Sequence, residues 1–374
     1  MGNNDLPLFN FAESYNNADQ FYLSRFLCPD PFGVFVAPSG YTTIWVSDME
    51  TGRAEKEAVV DATLPFSMYR KKGTSPAQAM ARFLKEHGEG KIRVPPGFPL
   101  GLARELEAEG MCLEVDGEDI SLRRRAKTEA EIEAIGSVQR QTAKAMEYIR
   151  SILAGCPVSG GILEHEGRDL TVERLRSLVD IFLIERGLES AGSIIAPGRG
   201  GADPHWGGSG TIHTGVPIVV DLFPRDTVTR YHADMSRTFV VGRASNTVRR
   251  MHSAVEEAQD AAFERLRPGG KLSEVHGAVC EVFRRRGFGV PEPGKPLVRR
   301  GFLHGTGHGL GLDVHETPSV STGADRFSPG DVVTIEPGLY DRRVGGVRIE
   351  DVIALTPGGA VINLTRFDRR LEIV

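Results

Sequence analysis

No part of this 374-residue sequence is apolar over anything near the roughly 20 residues that a bilayer-spanning helix needs. A membrane-embedded protein is therefore not expected. Cysteine is scarce: the four residues, at 28, 112, 156 and 280, lie far apart with no CxxC pairing, which excludes a disulfide framework and a thiolate metal site. Excess charge is lacking too. A formal net charge of -5 gives no electrostatic case for nucleic acid or an anionic membrane as main partner. The basic clusters at Arg123–Arg125 and Arg284–Arg286 are short and adjoin expected helices, where a solvated face accounts for them. The glycine-rich runs HGTGHGLG and GRGGADPH have no lysine at Walker spacing and do not match GxGxxG, so a phosphate cradle is not indicated. The opening MGNNDLPLFNF has no basic segment followed by an apolar one, and with so few cysteines the expectation is a cytoplasmic protein.

What is present is ordinary globular composition, 40% hydrophobic and 25% charged, in a chain long enough for two domains. Residues 1–125 read as an α/β unit with a small mixed sheet. FGVFVAPSGYTTIWVSD gives two strands around a Pro-Ser-Gly turn, and KIRVP and MCLEVD give later strands. Helices fall between, one capped by Ser75 with Pro76 at its first position and another stopped by Gly110. A second domain, 126–374, starts at the capping box formed by Thr128 and Glu131. Within it the order helix, helix, strand, strand occurs twice, which suggests a pseudo-symmetric domain.

The chemistry concentrates between His304 and Glu350. Three histidines, 304, 308 and 315, precede two glutamates, 336 and 350, each in a Val/Ile-rich run. DRRVGG between those runs is turn chemistry, so an antiparallel hairpin is expected with position 343 at its tip and the two glutamates opposite each other. Facing carboxylates repel unless a cation lies between them. In the first half, Asp221 in PIVVDLF and Asp234 in ADMSRTF flank a connection whose midpoint lies between Thr227 and Val228, so they too are expected to face each other. Four carboxylates with one imidazole form an oxygen-rich set suited to two divalent ions, Mn(II), Co(II) or Fe(II) more than mononuclear zinc.

HGTGHGLGLDVHE, TIEPGLY and VRIED, preceded by VVD and ADMSRTF, strongly resemble the pita-bread metallopeptidases, in particular the Xaa-Pro aminopeptidase and prolidase branch. The resemblance covers about two thirds of the chain. The N-terminal unit is similar, less specifically, to the creatinase-type N-terminal domain. The resemblance implies an α/β (α+β) protein with a small mixed-sheet N-terminal domain, a pita-bread catalytic domain and two divalent metal ions, Mn(II) first among the candidates with Co(II), Fe(II) or Zn(II) as alternatives. It implies metal ligands at Asp221, Asp234, His308, Glu336 and Glu350. Glu336 is then also the general base and His315 the oxyanion donor; His205 matches a substrate-side histidine, and His304 and Arg348 match supporting positions of the substrate site. The implied substrate is a peptide with proline at its second position, and the implied assembly a homodimer. A non-proline-specific aminopeptidase on the same fold and a catalytically silent binding relative are the alternatives. The sequence departs from the family in one place. The two aspartates are two residues further apart than usual, and Phe223 and Pro224 follow where a glycine normally stands two positions after the first. An altered pocket rim is expected there, with Arg225 or Arg230 available to a peptide carboxylate.

Overall fold

A computed structural model describes residues 6–88, 90–117, 119–190, 192–291 and 300–374. The chain divides into two compact units, Met1–Arg124 and Arg125–Val374.

The first unit is built on one six-stranded mixed sheet. Leu8–Ala12, Phe32–Val36 and Thr42–Val46 are successive antiparallel neighbours in its middle, and parallel strands extend both edges: Ala62–Pro65 on one side, Lys91–Val94 and Cys112–Val115 on the other. Strand alternation sends Phe9, Phe35 and Trp45 to one face and Leu8, Val34 and Ile44 to the other. On the first face the helix Pro76–Gly88 buries Phe83 flat against Trp45, with ring centroids 5.5 Å apart. Gln78 N–H donates to Ser75 Oγ at the start of that helix, as its sequence predicts.

The second unit has two similar halves. In the first, helices Glu129–Gly155 and Val172–Ile184 cover the sheet formed by Ile194–Pro197, Ile218–Leu222, Met235–Val241 and Glu372–Ile373. The long helix starts at the expected reciprocal capping box of Thr128 and Glu131. In the second half, helices Asn246–Arg265 and Leu272–Arg285 pack Val255, Val279 and Phe283 against Val333, Ile335 and Ile353 of a five-stranded sheet. Each half presents one antiparallel hairpin with an acidic pair, Asp221, Asp234 and Glu350 buried and Glu336 half-buried. No helix among the described residues is long and apolar enough to cross a membrane.

Candidate metal centre

Glu336 and Glu350 sit at a break between two ladders of one hairpin. Val332–Ile335 pairs with Asp351–Leu355, ending at Ile335↔Asp351, and Gly338–Asp341 pairs with Gly345–Arg348, starting at Gly338↔Arg348. One register runs through both ladders, so the glutamates lie opposite each other and the turn closes around Arg343, as the sequence predicts.

The aspartate hairpin corrects its expectation. Asp221 is opposite Ser236, and the ladder ends at Leu222↔Met235, which leaves Asp234 just outside it. The turn is displaced because it is built on Asp226: its Oδ1 accepts from the N–H groups of Val228 and Thr229, and Arg230 takes a left-handed conformation, φ 64°. A displacement of two residues preserves the pleat, so both aspartates still face the same side. Arg225 and Arg230 also differ from expectation. Both are engaged by Glu189, Arg225 through Nε at 3.1 Å and Nη2 at 2.7 Å, Arg230 through Nη1 at 2.7 Å.

One cavity of about 770 Å³ is lined by all nine singled-out residues: Asp221, Asp234, His308, Glu336 and Glu350 on its floor, with His205, His304, His315 and Arg348 around them. Asp234, His308 and Glu350 each offer a ligand atom within 4.8 Å of the others. His308 Nδ1 faces the Gly309 carbonyl at 3.1 Å, and since a carbonyl only accepts, Nδ1 carries the proton. Its Nε2 lone pair then points to Asp234 Oδ2 at 3.7 Å and Glu336 Oε1 at 3.5 Å, too long for hydrogen bonds. His315 stands edge-on to His308 with centroids 4.2 Å apart, and His205 is exposed at the margin.

The charges do not balance without a cation. Burial, and then the neighbouring carboxylates, push the pKa values of Asp234 and Glu350 well above the ordinary range, and burial raises Glu336. Burial alone would lower the Arg348 guanidinium, but Tyr340, Asp221 and the two glutamates hold it above its usual value. Arg348 is the one arginine or lysine among the described cavity residues, and its Nη2 is 2.6 Å from Asp221 Oδ2. Asp221 Oδ1 is buried without a hydrogen-bond partner. An orphaned carboxylate oxygen, an imidazole lone pair fixed toward acids and mutual carboxylate repulsion are together what divalent cations relieve, so the residues fit the metal.

Several residues that hold this arrangement escape sequence reasoning. Ser236 Oγ donates to Glu350 Oε2 and accepts from Arg348 Nε. It alternates with Asp234 on the strand path, and that period of two is the signal that could have found it. Tyr340 donates to His304 Nε2 at 2.8 Å, because His304 Nδ1–H is committed to Gly305 C=O, and it accepts from Arg348 Nη1 at 3.2 Å. Arg237, almost wholly buried, bonds the Glu350 and Ser236 carbonyls and the Asp351 carboxylate across the two halves. His276 is buried against Thr306 Oγ1 at 2.9 Å.

Hard oxygen donors with one imidazole, assembled where two similar halves meet, form the donor set of a metallohydrolase. The chain belongs to metallopeptidase family M24, whose sequence profile matches residues 133–357. Among its relatives are a Xaa-Pro dipeptidase of Pyrococcus furiosus, 36% identical over 48% of each chain, and one of Pyrococcus horikoshii, 29% identical over 95% of this chain and 92% of that one. A probable dipeptidase PepE of Mycobacterium tuberculosis is 32% identical over 64% of this chain. The match spans about half the length of the first of these and 58% of the last. Among solved structures, the prolidase from Pyrococcus horikoshii superposes with a TM-score of 0.81 at 25% identity, covering 99% of this chain and 96% of its own. The X-Pro aminopeptidase from Thermotoga maritima shares the fold, with a TM-score of 0.81 at 22% identity over 98% of this chain and 97% of that one. The fold is thus the pita-bread fold.

Proposed function

We propose that this chain is a metal-dependent exopeptidase that hydrolyses the bond between an N-terminal residue and proline, as a Xaa-Pro dipeptidase or Xaa-Pro aminopeptidase. The observation carrying this reading is the convergence of four carboxylates and a tautomer-fixed imidazole on one cavity in an M24 family member. In this reading Asp221, Asp234, His308, Glu336 and Glu350 hold two divalent ions. Mn(II) heads the candidates because the donors are mostly hard oxygens, and Co(II), Fe(II) and Zn(II) suit the same set. When bound, the metal supplies Lewis-acid polarisation of the scissile carbonyl and makes a water acidic enough to ionise near neutral pH.

The protein's own residues do the rest. Glu336 accepts the proton of the attacking water and returns it to the proline nitrogen as the C–N bond breaks. His315, kept neutral because partial burial lowers its pKa, donates an N–H to the developing oxyanion. His205 contacts the substrate from the margin. Arg348 has its donors committed to Asp221, Ser236, Tyr340 and Pro204 C=O, so it acts on substrate through Asp221 and through the His304–Tyr340 contact. Ile194, Phe223, Leu303 and Val314 add an apolar wall for the first side chain and the proline ring. Proline suits such a site because its nitrogen has no N–H to satisfy and its ring fixes φ.

Residues 126–374 form the catalytic pita-bread domain in this reading and 1–125 a creatinase-like domain. A homodimer follows from the family resemblance and is checked by light scattering. Four free cysteines, three of them buried, support a reducing, cytoplasmic setting. The test is hydrolysis by metal-stripped, Mn(II)-reconstituted protein of a Xaa-Pro dipeptide, a Xaa-Pro-Yaa tripeptide and a Met-Ala-Yaa control. Cleavage of the dipeptide alone identifies a dipeptidase, and cleavage of the tripeptide an aminopeptidase. Cleavage of only the control, or of nothing by protein that holds metal, sinks the proline assignment.

A further inference from the structure

The aspartate hairpin leaves a problem that a distant helix solves. In its register Asp234 faces Phe223, and because Ala233 N–H bonds Pro224 C=O in the next pair, the Asp234 backbone N–H and C=O point away from that strand, to the open side of their own. Buried backbone groups must be satisfied. Gln139, from the middle of the helix Glu129–Gly155, supplies both partners: Asp234 N–H donates to Gln139 Oε1 at 3.1 Å, and Gln139 Nε2 donates to Asp234 C=O at 2.7 Å. The side-chain amide thus imitates a neighbouring strand on that open side. Gln139 is fully buried on a mostly apolar helix face, beside Val138 and Thr142.

The second Nε2 hydrogen reaches Thr365 Oγ1 at 2.7 Å, and Thr365 Oγ1 also accepts from Val352 N–H at 2.9 Å. Val352 stands two residues beyond Glu350 on the same chain path. One amide therefore ties the backbone at Asp234, from the first half, to the strand that follows Glu350, in the second. Its orientation is fixed, since a flipped amide would set its oxygen against the Asp234 carbonyl and its N–H against the Asp234 N–H.

We infer that Gln139 is a positioning residue of the metal centre, setting the spacing of Asp234 and Glu350; this rests on the metal-binding reading above. Gln139 does not line the cavity. The test uses the full chain, stripped with chelator and titrated with Mn(II) by calorimetry, beside Co(II) visible absorption, which reads coordination directly. Gln139→Met keeps the volume and removes both bonds. Gln139→Glu keeps the shape and the acceptor but loses the donor to Asp234 C=O. Each variant is compared with wild type in the metal-free state by circular dichroism, so that a fold defect is separated from a site defect. The expected result is Mn(II) affinity lower by roughly 10–100-fold in whichever variant folds, with an altered Co(II) spectrum. Wild-type affinity and spectrum in either folded variant overturn the inference. Absence of Mn(II) binding by the wild type overturns instead the metal reading on which it stands.

Discussion

Asp234 shows how much of the site's behaviour is decided by single charges. Its carboxyl is buried with Glu350, Asp221 and Glu336 close by, and its pKa is raised well above the ordinary value. The native state therefore holds a proton that the unfolded chain releases, and metal-free stability falls as pH rises above the ordinary carboxylate range. Asp234→Asn removes that conflict. The expected outcome is a metal-free protein more stable than wild type at pH 7 by at least about 1 kcal/mol, with the gain shrinking toward pH 5 and tight Mn(II) binding lost. Urea unfolding in chelator at the two pH values, with a Mn(II) titration, checks it; equal stability at pH 7 counts against it. At this scale the sequence disclosed the residues whose chemistry is unusual in their setting, acids in Val/Ile runs and histidines among glycines. It hid those whose chemistry is common. A serine on a strand, a tyrosine near a turn or a glutamine on a helix becomes informative only when its partner is known.

The secondary-structure elements were legible where periodicity and turn chemistry agree. The glutamate hairpin has a compact turn of Arg342, Arg343 and Val344, and counting inward from either acid finds its tip. The aspartate hairpin could not be counted in the same way. Pro224 has no N–H to extend the ladder, and the turn begins asymmetrically at Asp226, so the midpoint of the connection is not the midpoint of the pairing. The same segment lines the cavity. Phe223 extends the strand of Asp221 along the cavity face and packs in one apolar cluster with Ile194. Phe223→Ala is expected to open this wall, raising kcat/KM roughly tenfold for substrates with a bulky first residue relative to an alanyl one. Steady-state kinetics on a matched pair of peptides measures this, and an unchanged ratio would assign the ring a packing role only.

The whole second unit depends on two halves that each contribute part of one centre. Metal that binds the native chain and not the unfolded one stabilises it by mass action, about 2.7 kcal/mol at a free concentration 100 times Kd. Stripping with chelator is accordingly expected to lower Tm, and added Mn(II) to raise it in a concentration-dependent way; a melting curve indifferent to both would contradict the metal assignment. There is a further consequence of the donors' distribution. Ser236 and Glu350, joined directly in the centre, are 114 residues apart in the chain. A ribosome that has completed the aspartate hairpin has made a polypeptide with neither the histidine nor the glutamates. The donor set is therefore complete only once both halves are present, and it depends on contacts between residues far apart in the chain.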